Sequence, residues 1–533
     1  MSTNSTIVGT AEILAANGKP DDAVVLLRQG IAIIPPTQSL GSLYQSAAEI
    51  LAANGKPDDA VVLLRQGIKV VPPTQNLGFL FRSAAVILDR CGMNAEAEGV
   101  IAEADARLPH EKEWLERFRA IALSPFKRDN IASNIEPVKM AMLFLATEWF
   151  PNRGGLSRLN RDLCCNLASR GVEVSCVVLD ATSAERLDAT NNNVGLISAS
   201  LSSGVVGDSR LLLKQHTLRE GYSPDYIVGH GRITGPAAVA QMQFFPAAKR
   251  IHFVHMAPDE IEWLKPDSAG DIAAKAEDRT QLEIELARTA FRAVAVGPRL
   301  HGRLARDLSG YPATSVPFDF VPGFDGESDP LPRVPPPGRP LKVLLMCRAE
   351  DEIIKGLDIA AKALSAIDIA SIGSVELYVR GAKEGSGGAL QARLNAISSE
   401  VGVVVRNFSV DALQLRAELA SASLALMPSR AEGFGLFGAE AIVAGTPTLI
   451  SEESGMGALL QSVLSQGEFA QAVVRMSGTE QEIVDYWKTA ISAKLRDREG
   501  AFAAAHTLKL LLAGRFPWSV QIDAFLKWVQ QAD

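Results

Sequence analysis

The sequence predicts an α/β protein made of two Rossmann-like lobes, preceded by an all-α module of helical repeats. Three observations carry this. An internal repeat with a 37-residue offset marks residues 1–110. From 137 onward, short apolar strands alternate with helical patterns in two series. The stiff, proline-rich stretch Asp329–Pro340 separates the two series. A chain of 533 residues is long enough for three domains.

The repeat is AEILAANGKPDDAVVLLRQGI, starting at Ala11 and again at Ala48, with a diverged third copy from Ala85. Each copy reads as helix, turn, helix. In the second, Ala48, Leu51 and Ala52 form an apolar stripe, and Asn54-Gly55-Lys56-Pro57 breaks the chain. Asp58 then opens a helix whose Val61, Leu64 and Ile68 recur at helical spacing. A helical hairpin cannot bury its apolar face alone, so about three stacked copies make a minimal solenoid. The pattern resembles tetratricopeptide repeats, which usually have a slightly shorter period. It implies either a surface for a protein partner or self-association, or a packing appendage. Residues 111–136 read as a linker with one helical stretch, Glu111 to Leu123.

The first strand series is Val138–Leu145, Glu173–Leu179, Asp225–His230, Arg250–His255 and Ala293–Val296. The second is Lys342–Cys347, Val375–Arg380, Val403–Arg406, Leu424–Met427 and Thr446–Ile450. Apolar strands alternating with helices form parallel sheets covered on both faces. The expected lobes are 137–328, completed by a helix at 515–533, and 341–514. Ligands of such sheets bind beyond the strands' carboxyl ends, so two facing lobes make a cleft.

Composition excludes several classes. The net charge is −8, with 53 basic and 61 acidic residues interspersed. A nucleic-acid partner is not expected, because phosphate backbones need a dense basic surface. Five cysteines without a C-x-x-C pair argue against a zinc site or a disulfide framework. No signal-peptide layout and no membrane-length apolar run is present, so a cytoplasmic location without a transmembrane segment is expected. There is no G-x-x-x-x-G-K-[ST] and no complete G-x-G-x-x-G, so ATPase and simple dehydrogenase readings lack support.

The strongest signal is Pro428-Ser-Arg-Ala-Glu-Gly-Phe-Gly-Leu-Phe-Gly-Ala-Glu-Ala441. A strand ends, a loop holding Gly433, Phe434 and Gly435 follows, and a helix starts near Leu436. Glycines let backbone approach a ligand, and N–H groups at a helix start favour a diphosphate. Glu432 in the loop and Glu440 in the helix offer two carboxylates for two hydroxylated groups.

This segment, with the following A-G-T-P, resembles the E-x7-E signature of family 4 glycosyltransferases, retaining enzymes of the two-lobed GT-B fold. The resemblance runs from Pro137 to the end. It implies a nucleotide-diphosphate sugar as donor, with no cofactor and no metal. In VLLMCRAEDEIIKGLD it assigns Arg348 and Lys355 to the donor diphosphate, where cations stabilise the leaving group. It places Glu432 on donor sugar hydroxyls and Glu440 on the ribose. Thr147–Arg158 is similar to the family's first-lobe glycine loop, with Gly154 and Gly155 near the donor or acceptor. DYIVGHGRITGPAA resembles the family's strand-to-helix turn and makes His230 a candidate sugar or acceptor contact. His255 reads more readily as a structural histidine. VPGFD (Val321–Asp325) receives no role. Phe516–Val529 is similar to the family's final helix, which crosses back onto the first lobe, with Trp518 as a packing anchor.

The function implied is sugar transfer with retention of anomeric configuration to an acceptor left open: glycan, small molecule or protein. Two other readings stand beside it. One is a catalytically idle GT-B scaffold that recruits a partner through its repeats. The other is a different GT-B chemistry, such as epimerisation or phosphorolysis, though no pyridoxal-lysine motif is present.

Overall fold

The computed structural model describes residues 11, 20–33, 43–44, 46–48, 50–51, 56–70, 81, 84, 99–100, 102–104 and 107. From 140 it describes all but 152–154, 200–208, 266–270, 312–314, 326–332, 399 and 532–533. The expected linker 111–136 with its helix, most of the third repeat, and Gly154 lie outside the described residues. The chain forms two compact units, Met1–Ile135 and Glu136–Asp533.

In the first unit, helices Pro20–Ile33 and Pro57–Val70 hold the repeated segment PDDAVVLLRQGI. Residues 37 apart behave alike: Ala23 and Ala60, Val24 and Val61, and Leu27 and Leu64 are all buried. Val25 and Val62 both face out. The same sequence thus uses the same helical face twice, as the 3.6-residue period requires. Tyr44 packs over Gly67, where a Cβ would lie 2.8 Å from the ring.

The second unit contains two all-parallel sheets. The first has seven strands: β1 (Ala141–Leu145), β2 (Glu173–Val178), β3 (Val194–Ser198), β4 (Tyr226–His230), β5 (Lys249–Val254), β6 (Arg292–Val296) and β7 (Phe318–Phe320). Its order is β3-β2-β1-β4-β5-β6-β7. The second has six: β8 (Leu341–Met346), β9 (Val375–Ala382), β10 (Gly402–Asn407), β11 (Leu424–Met427), β12 (Thr448–Ser451) and β13 (Val473–Val474), in the order β10-β9-β8-β11-β12-β13. Strands β1, β6 and β11 are buried along their whole length, as strands covered by helices on both faces must be.

This architecture is the GT-B arrangement, and the two-lobed expectation holds. Sequence periodicity missed β3, β7 and β13, all at or near sheet edges. β3 is largely half-exposed and β7 and β13 are only three and two residues long, too short or too polar for an apolar run. The strand order reverses beside β1 and beside β8, which opens crevices at the carboxyl ends of β1/β4 and β8/β11.

Helix Trp518–Gln530 packs on the first lobe. Phe525 meets Phe253, Phe318 and Phe320, with centroids 5.8–6.0 Å apart. Trp518 lies against Gly323, where no side chain would fit. That packing explains the glycine to which sequence assigned no role.

Candidate active site

The signature loop is built by strain that only glycine tolerates. Gly435 caps helix Leu436–Val443 with φ +99°, and a Cβ there would lie 2.7 Å from Met427 Cε. The loop pairs with the residues after β12. The Glu432 amide donates to the Glu453 carbonyl (3.2 Å), Gly455 to Gly433 (2.8 Å), and Met456 to Phe434 (2.6 Å).

The loop faces the first lobe. The Phe434 ring seats on Gly297, where a Cβ would lie 2.6 Å away and φ is +89°. Gly433 abuts the His255 carbonyl, and Leu436 abuts Gly155, the first residue of helix Gly155–Ser169. Among the described residues, two ion pairs cross between lobes: Arg158 to Glu440 at 3.4 Å and Arg299 to Glu453 at 2.6 Å. Ile261 and Leu264 of the first lobe cluster with Ile354 and Ala431 of the second.

Lys355 and Glu432 meet at 2.6 Å, with side chains only 17% and 16% exposed. Ser429 Oγ also donates to Glu432, at 3.2 Å. Burial lowers the Lys355 pKa, but Glu432 outweighs it and holds the ammonium above the usual lysine range. The lysine loop is stapled to the signature loop by Arg430. Its amide donates to the Ile354 carbonyl (2.8 Å), and its guanidinium bridges both oxygens of Asp358 (2.7 and 2.8 Å) and the Ile353 carbonyl (2.8 Å). A bidentate guanidinium–carboxylate pair fixes orientation as well as distance. Cys347 sits beside this group, and burial pushes its thiol up to about 12.

Arg348 is placed differently. Its side chain is more than half exposed, and Nη1 lies 3.7 Å from Asp351. Arg348 precedes the 3-10 turn Ala349–Asp351, and Lys355 follows it. Glu440 lies at the interlobe seam. Burial raises its carboxyl above the usual range, and Arg158 opposes the rise.

His230, a candidate sugar or acceptor contact by sequence, ends β4. It is fully buried, with both ring nitrogens engaged: Nδ1 to His255 Nε2 and Nε2 to Asn160 Oδ1, each at 2.9 Å. Since the Asn160 oxygen can only accept, His230 Nε2 carries the proton. Its Nδ1 then accepts from His255 Nε2–H. Burial, then the neighbouring His255 and His252, hold His230 well below the usual histidine range. His255 is lowered to about 3, mainly by burial. Half-buried His255 stands between His230 and the signature loop.

Sequence reasoning assigned no role to Arg158, Arg299, Arg430 or Glu453. Arg158 and Arg430 stood inside quoted motifs. Arg299 and Glu453 gave no local signal, because their pairing spans 154 positions.

Residues 143–525 match a family model described as family 4 glycosyltransferase in conflict systems. The chain belongs to this family of glycosyltransferases. The D-inositol 3-phosphate glycosyltransferase of Mycobacterium marinum is 29% identical over 184 residues, 34% of this chain and 36% of that protein. The chain thus spans about a third of that curated relative's length. Among solved structures, the fold is similar to sucrose-phosphate synthase of Thermosynechococcus elongatus. Identity there is 16% and the TM-score 0.53, over 74% of this chain and 99% of that one. It is also similar to Anabaena HepE, solved with UDP and glucose, at 17% identity and TM-score 0.50, over 73% and 99%. At such identities the likeness is one of fold.

Proposed function

We propose that this glycosyltransferase moves a hexosyl group from a nucleotide-diphosphate sugar to an acceptor held on the first lobe, with retention of anomeric configuration. The observation that carries the reading is the buried Lys355–Glu432 pair in a glycine-built loop facing the opposite lobe. A donor diphosphate would take over Lys355, and the sugar hydroxyls would take Glu432. Lys355 then stabilises charge that develops on the departing diphosphate, in a site with little water. Backbone N–H groups at the start of helix Leu436–Val443 add to that field. Arg348 reaches the diphosphate by side-chain rotation from its exposed position.

Glu440 is the ribose acceptor in this scheme. Arg158 pairs with it and would share it with a bound nucleotide. Both His230 and His255 are neutral at ordinary pH and serve as fixed dipoles, not proton donors to the leaving group. The tetratricopeptide-like repeats offer a surface for a protein partner or a second copy.

Incubation with UDP-, GDP- and ADP-sugars, followed by NMR of released or transferred sugar, tests the proposal. One donor should be consumed, and Lys355→Ala should abolish the turnover. Equal turnover by wild type and Lys355→Ala would remove the basis of the reading.

A further inference from the structure

Glu432 belongs to a closed ring of backbone and hydroxyl contacts. Its amide donates to the Glu453 carbonyl (3.2 Å). The Glu453 amide donates to Ser451 Oγ (3.0 Å), and that hydroxyl donates to the Ser429 carbonyl (2.7 Å). Ser429 Oγ closes the ring by donating to the Glu432 carboxylate (3.2 Å). Ser429 and Ser451 are buried, so water competes little for these bonds. A shift of Glu453 therefore carries Glu432 with it.

The Glu453 side chain leaves this ring and crosses the seam. Its carboxylate meets Arg299 Nη1 at 2.6 Å. Arg299 stands in the first turn of helix Pro298–Leu308, two residues past Gly297, on which Phe434 seats. That helix lies against helix Gly455–Val463, which starts two residues after Glu453. Within the first lobe, Arg299 also contacts Glu260 at 3.3 Å. Glu260 takes Arg303 at 3.1 Å, and Arg303 takes Asp259 at 2.6 Å. The Arg299 guanidinium is thus oriented from its own lobe while it holds the other. The two side chains are 26% and 39% exposed, so solvent screens the pair only in part.

We propose that Arg299 is a positioning residue for sugar transfer: from the first lobe it fixes Glu453, and through the Glu453 backbone it sets where Glu432 meets the donor sugar. This deepens the transfer reading and rests on it for the role of Glu432; the link from Arg299 to Glu432 stands on its own contacts. The effect falls on turnover, because a group misplaced by a fraction of an ångström still binds but no longer meets the reacting geometry.

The test compares the full chain with Arg299→Gln, Glu453→Gln, the double variant and Arg299→Lys. Glu453→Gln keeps the backbone carbonyl that holds Glu432, so it isolates the contact across the seam; it also carries the test should Arg299→Gln not fold. Hydrogen exchange of the peptide covering 429–436 reads the link directly, without any substrate. It should quicken about fivefold in each single variant, no further in the double, and not at all in β8. Turnover of the consumed nucleotide-sugar should show kcat lowered about fivefold in each single variant, with the double no worse than either. The Kd of the nucleoside diphosphate should stay within about twofold, and Arg299→Lys, which keeps the charge, should recover most of kcat. Unchanged exchange at 429–436 in both single variants, losses that simply add in the double, or nucleoside diphosphate affinity falling in step with kcat overturns the proposal. Exchange that quickens as expected in a chain that consumes no donor would instead sink the transfer reading and leave the link between Arg299 and Glu432 standing.

Discussion

Exchanging Lys355 for methionine separates the two partners of the central pair. The ammonium sits 2.6 Å from Glu432, and both side chains are more than four-fifths withdrawn from water. Removing one partner of a buried pair leaves an uncompensated charge and costs about 3–5 kcal/mol. With some exposure remaining, the lower end, about 3 kcal/mol, is expected. The same change deletes a charge-assisted contact to a diphosphate, about 1.5–3 kcal/mol, or roughly 10–100-fold in Kd. Glu432→Gln behaves differently. It removes the anion that competes for Lys355, so a nucleoside diphosphate without sugar should bind as tightly as before or tighter. Turnover of the full sugar donor should still fall. Urea denaturation reports the stability cost, and calorimetry with the best-bound of UDP, GDP and ADP reports affinity. Equal weakening of nucleotide binding in the two variants, or no effect in either, would refute the competition argued here.

Further outcomes follow from neighbouring contacts. Gly297→Ala places a methyl on Phe434 at a backbone angle L-residues rarely adopt. It should destabilise by about 1–3 kcal/mol in calorimetry and weaken nucleotide binding. Phe434→Ala should restore part of the first loss in a double-mutant cycle. Because burial raises the Glu440 carboxyl in the fold, its ionisation withdraws stability as pH climbs from the ordinary glutamate range through the raised value. Glu440→Gln should therefore melt no lower than wild type at pH 7 while losing nucleotide affinity. His255 is held near 3 and His230 well below 6.5, so kcat/KM should show no imidazole limb between about pH 5 and 8. A limb there that vanishes in His255→Asn would contradict the assigned tautomers.

Much of the fold was legible in sequence. The ten expected strands all form, because strands covered on both faces must be apolar runs and those runs stand out. The missed β3, β7 and β13 lack that demand at the sheet margins. The site was legible where chemistry is local: glycines at 433 and 435, the helix starting at Leu436, and both glutamates lie within one short segment. Sequence carries less about groups whose surroundings come from distant segments. His230 sits at a strand end, as a ligand contact would, yet Asn160 and His255 take both its nitrogens.

Chain-local physics determined the repeat faces, the strand rhythm and the glycine-rich turn, since backbone angle, periodicity and capping act within a few residues. Only the tertiary structure decided which charges meet: Lys355 with Glu432, Arg158 with Glu440, and Arg299 with Glu453. Electrostatic partnership depends on distance and burial, and chain folding sets both between residues that sequence keeps far apart.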